Sequence, residues 1–193
     1  IILRRIKEEG TELDLNDIDV SKITNMSNLF SHTNFNGDIS SWDVSNVTYM
    51  SYMLSGCKLF NSDISNWDVS NVKNIRGIFL GCEKFNQDIS KWDVSNIKDF
   101  GSMFYKCKAF NKDISSWDVS SVTNMCDMFY ECTNFNQDIS NWDVSNVAYM
   151  DGMFYKCEVF NQDLSTWDVS NVKSIKNIFD ECPIEEKYKP NFK

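Results

Sequence analysis

The side chains able to do chemistry recur on a fixed step. Aspartate returns at Asp43, Asp68, Asp93, Asp118, Asp143 and Asp168, 25 residues apart, with Asp19 one residue short of that step before them. Cysteine keeps the step at Cys57, Cys82, Cys107, Cys132, Cys157 and Cys182, and Cys126 is the seventh. A carboxylate on every turn can hold divalent cations, attract a basic protein, or be spent on hydrogen bonds from the serines two places on, Ser45 to Ser170. Neighbouring strands would bring such carboxylates to about 4.8 Å, where like charges repel by roughly 1 kcal/mol in water-like surroundings. Hydrogen-bonded Asp and Ser ladders are the preferred remedy, ahead of a basic partner and a bound cation. No D-x-[DN]-x-[DN]-G loop marks a cation site. The second aspartate of each unit, Asp38 to Asp163, follows Asn in a turn and is read as structural.

Nucleophilic chemistry finds no partners. His32 is the only histidine and has no counterpart in the other repeats, and the 7 glycines are scattered instead of forming a phosphate loop. A step of 25 also separates cysteines that a zinc site needs in C-x-x-C pairs. Thiols on adjacent turns with parallel side-chain vectors fit a disulfide poorly. The sequence therefore predicts a protein that is not an enzyme, with no cofactor and no metal site, with the six periodic cysteines free in the core as small apolar groups and Cys126 at a variable position, exposed and reactive.

The repeat itself must position these residues. All 6 tryptophans, Trp42, Trp67, Trp92, Trp117, Trp142 and Trp167, stand 25 apart, as do Phe35, Phe60, Phe85, Phe110, Phe135 and Phe160. Such self-similarity marks a stacked repeat protein, and the period falls within the roughly 20 to 29 residues of leucine-rich repeats. One unit, beginning at Phe85, is FNQDISKWDVSNIKDFGSMFYKCKA, with Phe85, Ile89, Trp92, Val94, Ile97, Phe100, Met103, Phe104 and Cys107 as its apolar set. Ile89-x-x-Trp92-x-Val94 has the spacing of a leucine-rich repeat's opening, with Trp92 and Val94 inward on a short strand and Asp93 and Ser95 outward. From Ile97 the apolar steps fit one face of a short helix or 3₁₀ turn, capped by Ser95 or Asn96. Residues 1–10 are predicted as an amphipathic helical cap, 11–182 as a single solenoid of seven repeats, and 183–193 as a C-terminal tail or cap. The first repeat is degenerate, one residue short near His32 and Thr33.

The x-W-D-V-S-x-V core followed by M-F-x-x-C, running from about residue 15 to 182, resembles the BspA-type bacterial leucine-rich-repeat surface proteins, including the repeats of mycoplasma lipoproteins. The resemblance implies a right-handed solenoid, a place at the cell surface or in the secreted fraction, and adhesion or host-protein binding. Residue spacing and resemblance together predict an α/β repeat: a right-handed leucine-rich-repeat-like solenoid with a parallel β-sheet on one face and short helical or 3₁₀ return segments on the other.

The formal net charge of -9, with basic residues dispersed along the chain, argues against a nucleic-acid partner. No apolar run approaches the roughly 18 residues of a membrane span. No secretory signal is visible and the cysteines are unpaired, which keeps a cytoplasmic location beside the surface one. Binding specificity belongs where repeats differ. One return-segment position holds Ser55, Leu80, Tyr105, Tyr130, Tyr155 and Asp180, with Lys106, Glu131 and Lys156 alongside the tyrosines. Beside the Asp ladder, Ser41, Asn66, Lys91, Ser116, Asn141 and Thr166 vary. The candidate partner-binding residues are Asp68, Asp93, Asp118, Asp143, Lys91, Tyr105, Tyr130 and Tyr155, and the expected partner is a protein, basic or from a host surface. The expected function is a non-catalytic protein-interaction or adhesion module presenting an acidic concave sheet face. The alternatives are a structural spacer of a larger surface protein without its own ligand and, more weakly, a divalent-cation-binding repeat.

Overall fold

A computed structural model describes residues 1–192; Lys193, the end of the predicted C-terminal tail, lies outside the described residues. The chain forms a stack of 25-residue coils with little regular secondary structure, 6% helix and 5% strand. Among the described residues the helices are α1, Ile2–Glu9, and one 3₁₀ turn, Glu186–Tyr188. In place of a sheet there are isolated parallel bridges, such as Asn25 to Tyr49 and Asn124 to Tyr149. The predicted right-handed α/β solenoid, with a parallel sheet on one face and helical or 3₁₀ returns on the other, is therefore not the fold.

The predicted strand fails because its polar residues turn the chain. Asp93 Oδ1 accepts from the backbone N–H of Ser95 at 3.1 Å and from its hydroxyl at 2.6 Å, and Asp88 accepts likewise from Ser90 at 3.0 and 2.7 Å. Two such turns so close together leave no extended run. Trp92 and Val94 still point inward and Asp93 outward, so the alternation is kept without the strand.

The predicted return helix fails in its backbone. Met103 N–H donates to Phe100 O at 3.0 Å, Tyr105 to Ser102 O at 3.2 Å, and Cys107 to Phe104 O at 2.8 Å, a run of tight turns. Ser102 and Lys106 have φ of 56° and 59°, and the equivalent residues of neighbouring coils, Gly77 and Gly81, Asp127 and Glu131, are left-handed too. A left-handed residue at every fourth place cannot continue a right-handed helix and costs about 1–2 kcal/mol wherever it is not glycine. The apolar spacing that fits a helix is instead met by turns, which bury Ile97, Phe100, Met103, Phe104 and Cys107.

Bonding from coil to coil replaces the missing ladders. Phe100, Ser102, Phe104 and Lys106 donate backbone N–H groups to Asn124, Cys126, Met128 and Tyr130 in the next coil at 2.9, 2.8, 2.9 and 2.7 Å. Fixed side chains bond backward: Trp92 Nε1 to Ile64 O at 3.1 Å, Cys107 Sγ to Phe79 O at 3.0 Å, and Asn96 Nδ2 to Ser70 O at 2.9 Å. Asn86 Oδ1 accepts the Asn111 N–H at 3.0 Å. The phenylalanines from Phe60 to Phe160 stack one per coil, with Phe60 and Phe85 centroids 6.1 Å apart. Phe79, Phe104, Phe129 and Phe154 form a second stack, with 5.6 Å between Phe104 and Phe129. Among the described residues no buried side-chain nitrogen or oxygen lacks a hydrogen-bond partner.

The ends are closed by different means. Ile6 of α1 is buried in the core, and Arg5 grips Asp17 with Nη1 at 2.7 and 2.8 Å from the two carboxylate oxygens. At the far end Ile184 is buried, Tyr188 O accepts the Leu164 N–H at 2.8 Å, and Asn161 Oδ1 accepts the Glu185 N–H at 2.8 Å. Ser102→Gly, which removes the left-handed penalty at a cost in chain entropy, should raise stability by roughly 0.5–1 kcal/mol in urea unfolding. Gly77→Ala places a Cβ against the Tyr52 ring at a left-handed residue and should lower stability by at least about 1–2 kcal/mol.

Candidate partner-binding surface

The Asp stripe is exposed at Asp68, Asp93, Asp118 and Asp143, and each carboxylate closes its own turn. Asp68 Oδ1 accepts from Ser70 N–H at 3.0 Å and its hydroxyl at 2.6 Å, Asp118 does the same with Ser120 at 3.0 and 2.6 Å, and Asp143 takes the Ser145 N–H at 3.0 Å. Hydrogen bonding is thus the remedy for stacked charge. The Ser120 hydroxyl, then its N–H, holds the Asp118 carboxyl below the usual carboxylate range. In the second series the Ser115 N–H, then its hydroxyl, does so for Asp113. One oxygen of each stripe carboxylate is committed to its own turn. Its members do not converge: among the described residues no group of three or more His, Cys, Asp or Glu could hold a metal ion. Lys91 is exposed at the edge of the stripe, where it adds a small share to the lowering of the Asp88 carboxyl that Ser90 dominates.

The three tyrosines meet as a stack. Tyr105 lies between buried Phe104 and left-handed Lys106, which turns its ring outward to a half-buried position. Ring centroids are 4.5 Å apart from Tyr105 to Tyr130 and again from Tyr130 to Tyr155, closer than in either phenylalanine stack between coils. Charges alternate along it. Lys106 Nζ stands 5.4 Å from the Tyr105 ring and 3.6 Å from Glu131 Oε1, and Lys156 Nζ stands 5.2 Å from the Tyr155 ring and 3.4 Å from Glu181 Oε1. Tyr155 donates its hydroxyl to Glu181 at 3.1 Å. Burial pushes the Tyr105 and Tyr130 hydroxyls above their ordinary range, so both are neutral and donor-capable at physiological pH. Among the described residues no hydrogen bond joins Asp68, Asp93, Asp118 or Asp143 to these tyrosines, so the candidate residues form two separate surfaces.

Sequence reasoning missed a third group. Arg76 Nε donates to Tyr52 OH at 3.0 Å, and Arg76 Nη1 lies 3.3 Å from Asp99 Oδ2. Asp99 Oδ1 also accepts from Gly101 N–H at 2.7 Å and Asn124 Nδ2 at 3.0 Å. Further along, Cys126 Sγ donates to Asp151 Oδ2 at 3.7 Å, and burial pushes both the Cys126 thiol and the neighbouring Asp127 carboxyl up. The available signal was variability, since this position runs Ser51, Arg76, Gly101, Cys126, Asp151 and Lys176. The periodic thiols of Cys82, Cys107, Cys132 and Cys157 are buried, and burial raises each of them.

Fixed residues turned to stacking and differing residues turned outward define a repeat protein of irregular stacked coils. Its family is also shown. The family model described as "Mycoplasma protein of unknown function, DUF285" matches residues 4–112 and again 87–190, and the chain belongs to that family. No curated protein and no solved structure matches it. Among the described residues no helix is long and apolar enough to cross a membrane.

Carboxyls such as Asp38, Asp88, Asp113 and Asp118 titrate below their ordinary 3.8 in the folded chain. A lowered folded value adds stability that is complete above the unfolded value and is lost as pH falls through the folded one. Thermal melts should therefore change little from about pH 7 to pH 5 and fall steeply below about pH 4. With a thiol reagent under native conditions, partly exposed Cys126 and Cys182 should label slowly. Buried Cys57, Cys82, Cys107, Cys132 and Cys157 should label only on unfolding, as mass spectrometry of the modified chain will report.

Proposed function

We propose that this chain is a non-catalytic protein-interaction or adhesion module of the BspA-like kind, working at a cell surface, and that the Tyr105–Tyr130–Tyr155 stack is its principal contact. The observation that carries the reading is that stack itself. It is a run of half-exposed rings confined to coils four to six, where every fixed aromatic of the repeat is buried. Rigid amphipathic rings give a large contact area at little entropic cost, and the alternating Lys106, Glu131, Lys156 and Glu181 supply a polar rim. The Asp stripe adds a long acidic edge that favours approach by a basic protein. A spacer without its own ligand is the competing reading, and the commitment of each stripe carboxylate to its own turn favours it for the stripe alone.

Beads coated with the chain should adhere to cultured host cells. Tyr105→Ala/Tyr130→Ala/Tyr155→Ala should reduce adherence by tenfold or more, since anchor residues are worth about 2 kcal/mol or above. Asp93→Asn/Asp118→Asn/Asp143→Asn should slow capture and weaken its salt dependence. Undiminished adherence of the tyrosine variant removes the stack from the interface, and no adherence by any form leaves the spacer.

A further inference from the structure

Two rungs of backbone bonding link each coil to the next at the corner after the W-D-V segment. On the first, Thr48 donates to Thr24 O at 2.8 Å, Lys73 to Thr48 O at 2.9 Å, Thr123 to Lys98 O at 2.9 Å and Lys173 to Ala148 O at 2.8 Å. On the second, Met50 donates to Asn74 O at 2.8 Å, Phe100 to Asn124 O at 2.9 Å and Met125 to Tyr149 O at 2.9 Å. Among the described residues both rungs fail at the same junction, between the third and fourth coils. Lys98 N–H does not reach Lys73 O, and Ile75 N–H does not reach Asp99 O. The parallel bridges Tyr49 to Asn74 and Asp99 to Asn124 flank the gap, with none between Asn74 and Asp99.

A groove of about 490 Å³ lies at this gap, lined by Ser70, Asn71, Lys73, Asn96 and Lys98. The rung position runs Thr24, Thr48, Lys73, Lys98, Thr123, Ala148 and Lys173, so Lys73 and Lys98 are its one pair of cations on successive coils. The two lysines therefore stand on either side of the parting. Neither lysine makes an ion pair among the described residues, although the chain carries a net charge of -9. No carboxylate lines the groove: Asp99, next to Lys98, is held by Arg76 and the Gly101 N–H, and Asp68 and Asp93 are turned to Ser70 and Ser95. Asn71 and Asn96 each donate one amide hydrogen, to Ser45 O and Ser70 O, and keep a second.

We propose that this groove is an anion site, which seats a phosphate group between Lys73 and Lys98. The two ammonium groups neutralise the charge, while the free Lys98 N–H and the spare amide hydrogens donate to the oxygens. The gap also leaves Lys73 O without a donor. A phosphate that keeps one proton, as about half do near pH 6, can donate to that carbonyl, and sulfate cannot. A phosphate monoester on a partner is therefore the expected ligand. The site stands on residues outside the tyrosine stack and does not depend on the role proposed for it.

Inorganic phosphate, sulfate and chloride at matched ionic strength, titrated at about pH 6 against the ¹⁵N-labelled chain, test the site. Phosphate should shift the Asn71, Ile75 and Lys98 amides saturably and bind more tightly than sulfate. Lys73→Thr/Lys98→Thr, which installs the residue of other coils, should weaken phosphate at least about tenfold, as loss of charge-assisted bonds implies. It should also slow hydrogen exchange at residue 98 as the rung closes. Lys98→Gln carries the same readout should the double variant not fold. Shifts equal in chloride, or phosphate binding unchanged in these variants, would overturn the site, and equal affinity for sulfate would overturn the choice of phosphate.

Discussion

A chain that buries a core without helices or sheets must still find a partner for every enclosed N–H and C=O, and in this protein each coil supplies the partners of its neighbour. That requirement explains which residues recur. Trp92 is held to Ile64 O and Cys107 to Phe79 O, and both roles combine an apolar body with a single donor at its edge. Phenylalanine would keep an apolar ring but lose the bond between coils, leaving Ile64 O with only the Trp67 N–H of its own coil. Valine or alanine in place of Cys107 would likewise leave Phe79 O with only the Cys82 N–H. The asparagines of the Asn86 and Asn96 series serve the outer edge of the coil, one accepting a backbone N–H and the other donating to a carbonyl. Periodicity in this sequence is therefore hydrogen-bond bookkeeping as much as hydrophobic packing.

Much of this was legible in the sequence, and the parts that were not share a cause. The period and the inward positions of Trp92, Val94, Ile97, Phe100 and Cys107 follow from spacing alone, because spacing reports which side of the chain faces the core. Spacing does not report how the backbone gets there. Alternation made by two Asx turns looks like alternation made by a strand, and a buried face made by tight turns looks like a helical one. The distinguishing signals were the Asp-x-Ser pairs at Asp88 and Asp93, and glycine at Gly77, Gly81 and Gly152 where left-handed backbone recurs. The tyrosine stack was legible because its members sit one period apart. The Arg76 group was not, since Arg76, Tyr52 and Asp99 each occur once at their repeat positions and meet across coils, through contacts that depend on the unpredicted backbone.

The separation of fixed and differing residues also organises the surface. The Asp stripe repeats on every coil and closes turns, so it carries charge without detail. The tyrosine stack, the Arg76 group and the Lys73–Lys98 junction each occupy only a few coils, and detail is what recognition requires. One scaffold thus carries three chemically distinct surfaces, aromatic, mixed-charge and cationic, at different heights along the stack.

The junction between the third and fourth coils has a mechanical meaning as well. Coils touch only their neighbours, so a pull along the stack loads every interface in series and the weakest sets the breaking force. With Lys98 and Ile75 lacking their rungs, that interface leans on the Gly77, Phe79 and Gly81 bonds and the Arg76–Asp99 pair, and parting there would divide the chain into two intact blocks instead of unravelling it from an end.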